Sequence, residues 1–231
     1  MIYEYFYFTG RSFLFVIATL LPIVNPPGVT PIFWTMTSGA SNTTRKLLAK
    51  RIAINVLVML IIAVVAGNVV LSFFGISLPI VRVAGGILVV ASAWQLLNAK
   101  DSDTEHAEKL AENFTMEKAN NRAFFPLTFP ITCGPGSIAA AITVGATLKS
   151  SSTTYSVLNL AGTFLGIAVV AVVVYLCLRF AARFLYKLGT TGTAVFMRLS
   201  AFILLCIGVQ IVWNGLYELI LALYGDIAKL H

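Results

Sequence analysis

The sequence predicts an all-α membrane protein. Its six transmembrane segments form two inverted three-span repeats, and the first segment of each repeat is broken by proline and glycine. Three observations point there. Of the 231 residues, 58% are hydrophobic and only 11% charged, where a soluble domain carries roughly 25% charge. The apolar stretches are continuous and reach the length of about 20 residues that crosses a bilayer. Proline, glycine and arginine recur at matching places in the two halves.

Alternative classes fail on the same composition. A mean hydropathy of +0.90 and 16 phenylalanines exclude disorder, which needs few aromatics and much charge. Unbroken apolar runs lack the alternation of a lipid-facing barrel strand. Cys133, Cys177 and Cys206 all fall within apolar segments, where a thiol behaves as a small hydrophobe rather than half of a disulfide. No removable leader is expected, because Met1–Gly10 is aromatic and carries Glu4.

Taken in order, the apolar segments are Ser12–Thr37, Ile52–Phe74, Leu78–Asn98, Phe124–Leu148, Tyr155–Phe184 and Phe196–Leu223. Basic residues follow every second segment: Arg45, Lys46, Lys50 and Arg51, then Lys100, Lys109, Lys118 and Arg122, then Arg179, Arg183 and Lys187. The opposite side holds only Arg11, Lys149 and Lys229. Lysine and arginine favour cytoplasmic loops, so both termini are expected outside, in the periplasm. The formal charge of +7 is thus a topology signal, and no nucleic-acid partner is expected. The expected organisation is a first three-span repeat over residues 1–98, a charged cytoplasmic linker helix over 99–123, and a second, inverted repeat over 124–231. In the linker, Ser102 and Glu105 fit a capping box, and His106 is read as solvated.

The repeat rests on short coincidences. Pro22, Ile23, Pro27 and Gly28 match Pro130, Ile131, Pro135 and Gly136, and a second block aligns Arg82 with Arg198. An odd number of spans per half turns the second half upside down. Interrupted helices at matching places in inverted repeats are the best sequence pointer to a transporter site.

The breaks therefore supply the candidate substrate-binding residues: Asn25, Pro26, Pro27, Gly28 and Thr30 in the first half, and Thr132, Cys133, Gly134, Pro135, Gly136 and Ser137 in the second. Proline removes an amide donor and glycine permits backbone that other residues avoid. Bare backbone inside a membrane persists only within protein or beside a watery cavity. Each new half-helix, near Gly28 and near Gly136, presents amides and a positive dipole end to an anion. Arg82 and Arg198 complete the set, since an arginine within a span is a functional hypothesis by default. Its competitor is snorkelling to the headgroups.

No Asp, Glu or His is expected at mid-membrane, Glu218 lying near the outer end of the last segment. A carboxylate proton relay, a metal site and hydrolysis needing a base are all disfavoured, and no enzyme activity and no resident cofactor are expected. A coupling Na+ held by unwound carbonyls and hydroxyls remains open. Gly162-Thr-Phe-Leu-Gly166 reads as an internal helix contact, and Gly85-Gly86 as a place of close backbone approach.

Asn25-Pro-Pro-Gly28, Phe74-Gly-Ile-Ser77, Arg82-Val-Ala-Gly-Gly86 and Gly134-Pro-Gly136 together resemble the MarC family of bacterial inner-membrane proteins, over nearly the whole chain. The resemblance implies a six-span transporter of small neutral amino acids. Three readings stay open. One is a secondary transporter for such amino acids. Another is a polyprenyl-phosphate or phospholipid translocase gripping an anionic headgroup with Arg82 and Arg198. The third is a non-transporting scaffold in contact with membrane lipids, with the charged linker as its partner site. Oligomeric state is not legible.

Overall fold

In a computed structural model of the chain, residues 2–37, 39–98, 123–148 and 153–228 are described. The linker helix expected over 99–123, with His106, lies outside them save for Ala123. Among the described residues there are helices and no strands, as the absence of water to satisfy bare backbone demands.

The first segment comprises α1 (Ile2–Val24) and α2 (Pro26–Met36), separated by Asn25. Helix begins at Ile2 rather than at Ser12, because the aromatic leader winds up and docks: Phe8 packs on Tyr155 with ring centroids 4.5 Å apart. Next come α3 (Asn42–Phe73), N-capped by Ser41, and α4 (Leu78–Asn98), across a turn in which Gly75 takes φ 65°. The second half opens with α5 (Ala123–Thr132), whose helical winding is interrupted by extended backbone at Phe125 and Phe129, followed by α6 (Pro135–Thr147) at an angle of 69°. Finally, α7 (Thr153–Arg179) leads into α8 (Ala181–Ala228), interrupted at Gly189 (φ 65°) ahead of its apolar part, Thr191–Gly225.

Among the described residues, five helical stretches are long and apolar enough to cross a membrane, and the bent pair α5–α6 makes a sixth when taken as one span. Charge content and segment length are the whole basis of the six-segment expectation, and the helices meet it.

Packing is heaviest between α4 and α8, then between α1 and α7, while α3 lies against both α6 and α7. Val16 and Leu20 of α1, Ile52, Val56 and Leu60 of α3, Val144 of α6 and Ile167, Val170 and Val174 of α7 are completely buried. Lipid is as apolar as leucine, so helices associate there through close contact rather than water exclusion, and small residues mark the seams. Gly162 and Gly166 of α7 lie against Thr9, Phe13 and Val16 of α1, the internal contact their spacing predicts. Gly86 of α4 and Gly208 of α8 bring those two backbones together. A Cβ on Gly86 would stand 2.9 Å from the Gly208 carbonyl oxygen, and one on Gly208 2.9 Å from the Val90 nitrogen. Cys133, Cys177 and Cys206 are free thiols.

Candidate functional site

The two breaks share a chemistry and differ in shape. At the first, Pro26 and Pro27 stand in the opening turn of α2, where missing amides cost nothing. Asn25 adopts φ 45° and ψ 58°, a left-handed conformation that few residues besides glycine and asparagine tolerate. Its Oδ1 accepts from the Gly28 amide at 3.2 Å, so the α2 N-terminus is capped from within. A Cβ at Gly28 would meet the Asn25 side chain and push the cap aside. Backbone hydrogen bonding runs on through the break, Asn25 N to Leu21 O at 3.0 Å and Val29 N to Asn25 O at 3.1 Å. Tyr7–Met36 consequently continues as one apolar stretch of 30 residues. Thr30 spends its hydroxyl on the Pro26 carbonyl at 2.9 Å.

At the second break, Pro126 and Pro130 interrupt α5, and the freed carbonyls are taken up locally. The Thr128 hydroxyl donates to Ala123 O, the Thr132 hydroxyl to Leu127 O, both at 2.6 Å, and Cys133 N donates to Thr128 O at 2.8 Å. Asn55 of α3 braces Thr128 from outside, at 3.2 Å. Gly134 then starts α6 with no side-chain cap. The second half-helix therefore keeps unclaimed amides where the first does not.

Both breaks face one space. A small chamber of about 70 Å³ is lined by Asn25 from the first break and by Pro130, Ile131, Thr132, Gly134, Gly136 and Ser137 from the second, with Val89 and Ser92 of α4. A vestibule of about 610 Å³ adjoins it, and Ile23 and Gly136 line both. The vestibule runs between α1, α4, α6 and α8 towards the end that holds the α3–α4 turn. Its walls are mainly apolar, with polar groups from Thr19, Arg82, Thr143, Thr147, Asn214 and Glu218.

Of the residues singled out from sequence, Asn25, Thr132, Gly134, Gly136 and Ser137 line the chamber. Pro26, Gly28, Thr30 and Cys133 are buried behind it, Pro27 is half-buried and Pro135 exposed. Arg82 stands at the far end of the vestibule, ion-paired with Glu218, and its Nη2 lies 3.4 Å from the Thr147 hydroxyl. Arg198 is exposed on α8 and is not brought to the chamber. The sequence reading missed Glu218 as a site residue, along with Asn214 and Thr143. Glu218 carried a signal all the same, as the one carboxylate in the last apolar segment. Its partner lies 136 residues away in the chain, and no local pattern announces such a pair.

The MarC family profile, described as that of an integral membrane protein, matches residues 10–220, a span that takes in both breaks, Arg82, Arg198 and Glu218. The chain belongs to the MarC family. It is 32% identical over 206 residues to the inner membrane protein MarC of Escherichia coli strain K12, covering 88% of this chain and 93% of the relative. The same figures hold for MarC of Shigella flexneri. No solved structure matches. Like those MarC proteins it is a multi-pass protein of the inner membrane, and the family description names no reaction.

Proposed function

We propose that this MarC-family chain is a secondary transporter of small neutral amino acids, with its substrate site at the two broken helices. The observation that carries this reading is the convergence of both breaks on one chamber that shares Ile23 and Gly136 with a vestibule. At about 70 Å³ the chamber exceeds the roughly 10–15 Å³ needed to hold one water and suits only a small solute. The uncapped α6 N-terminus offers amides and a positive dipole end to a carboxylate. By the charge bias the vestibule opens to the periplasm, with both chain termini on that side.

The helix pairing supports an inverted repeat of residues 1–98 and 124–231. Exchanging the first, second and third segments with the fourth, fifth and sixth carries the main packed pairs onto one another: third with sixth and second with fifth map onto themselves, and first with fifth maps onto fourth with second. Carbonyls around the second break and the Ser137 hydroxyl are the groups that would hold a coupling Na+.

The lipid-translocase reading drew on two arginines being more charge than one carboxylate needs. Glu218 offsets Arg82 and Arg198 faces outward, which favours the amino acid over an anionic headgroup. The scaffold reading depends on the linker. Uptake of radiolabelled L-alanine into proteoliposomes, with and without a sodium gradient, tests the proposal, with native mass spectrometry of the purified protein alongside. Saturable uptake that a bulky Gly136→Val substitution abolishes is the expected result. No uptake, together with a phospholipid retained by the wild type and lost from an Arg82→Ala, Arg198→Ala variant, would overturn it in favour of the translocase. Neither ligand would leave the scaffold.

A further inference from the structure

We infer that the Arg82–Glu218 pair forms a second, outer binding site that selects zwitterions before they descend to the chamber. This rests on the amino-acid reading above and adds to it a place and a selection rule. Three observations meet there. First, an ion pair between α4 and α8 stands in the wall of the 610 Å³ vestibule. Second, its two members are unequally placed: the Arg82 side chain is 16% exposed and that of Glu218 42%. Third, the hydroxyl oxygen of Thr143, which lines the same vestibule, is buried and makes no hydrogen bond among the described residues.

The rule follows from charge balance. Separating a half-buried ion pair leaves two uncompensated charges in poor solvent, and a single uncompensated charge is costly there. A free amino acid carries both replacements at once. Its ammonium takes the more exposed Glu218, its carboxylate takes the deeper Arg82, and both protein charges stay paired. A simple anion would satisfy Arg82 and strand Glu218; a simple cation would do the reverse. Arginine suits the carboxylate partner because its planar fork can bind two oxygens. Thr147, within reach of Arg82, and Asn214 stand beside the pair. Arg11 lines an adjoining cavity through the shared Phe15 and Thr147 and adds positive potential to the approach.

From there a track leads inward. Thr147, Thr143, Ala140 and Gly136 all line the vestibule from α6, and their spacing puts them on one face of a helix. Thr143 lies between the ion pair and the uncapped N-terminus at Gly136, and its unclaimed hydroxyl is a waypoint for a polar solute.

Displacement of bound radiolabelled L-alanine from protein in nanodiscs tests the inference, with L-alanine, propionate and ethylamine as competitors. In the wild type only L-alanine should displace the label. Glu218→Gln and Arg82→Gln should each lower alanine affinity at least tenfold. Glu218→Gln should gain binding of labelled propionate and Arg82→Gln that of ethylamine, gains that a misfolded protein cannot produce. The exchanged double variant, Arg82→Glu with Glu218→Arg, keeps both charges and should regain preference for alanine. Wild-type alanine affinity in both single variants would overturn the outer site while leaving the transporter standing, and so would displacement by propionate or ethylamine as effective as by alanine. Absence of alanine binding to the wild type would remove both readings together.

Discussion

Asn25 does two things with one side chain: it accepts the Gly28 amide and it tolerates φ 45°. Alanine can do neither. Losing the cap costs about 1 kcal/mol, and a left-handed residue with a Cβ costs about another 1–2 kcal/mol. Glycine escapes the second cost, and at a cap position it loses only a few tenths of a kcal/mol. Thermal unfolding in detergent should therefore rank wild type and Asn25→Gly close together and Asn25→Ala well below. Thr143 predicts the opposite sign. Its buried hydroxyl has no partner among the described residues, so Thr143→Val should hold or raise stability by about 1 kcal/mol while weakening alanine binding several-fold in the same nanodisc assay. A stability loss would mean that the hydroxyl is satisfied after all. At this scale the sequence shows where the backbone must break, because proline and glycine act locally. It does not show which end each break leaves capped, since that depends on one side chain, Asn25, for which the second half has Cys133.

Among the elements, α4 and α8 share the most extensive contact, with Gly86, Gly208 and Gly215 along it. Gly208→Ala would drive a methyl into the backbone at Val90, and overpacking of this kind costs typically about 1–3 kcal/mol. Gly10→Ala is the matched control: nothing lies within 4 Å of a Cβ there, and the better helix propensity of alanine should leave stability unchanged or improved. Equal loss from both would show that the α4–α8 seam is not the cause. Spans and small-residue seams are legible in the sequence because lipid enforces them. Less legible is the fate of the two broken segments. They share four of seven residues at the break, yet α1–α2 runs on as one stretch and α5–α6 bends by 69°. Pro126 stands where the first half has Ala18, and extended backbone at Phe125 and Phe129 precedes the two prolines, a difference the short matching block does not contain. The early start of α1 escaped because Phe8 gains its partner, Tyr155, from the other half of the chain.

For the molecule as a whole, the distribution of Lys and Arg predicts a checkable orientation. Alkaline phosphatase fused to the C-terminus should be active, and a green fluorescent protein fused there through the Sec route should be dark; the reverse pair would invert the vestibule as well. With that orientation, the vestibule has an electrical consequence. Filled with water and open to the outside, the vestibule would carry the outside potential down to the level of Gly136, and the membrane voltage would fall mainly across the protein beyond it. One elementary charge moved through 100 mV is worth about 2.3 kcal/mol. A zwitterion has no net charge and should cross this thin barrier untouched by voltage. Alanine flux measured in liposomes clamped by potassium and valinomycin should then be flat with potential if the amino acid travels alone, and should steepen by one charge for every Na+ that travels with it. The shape of the recess thus turns a voltage ramp into a count of coupled ions.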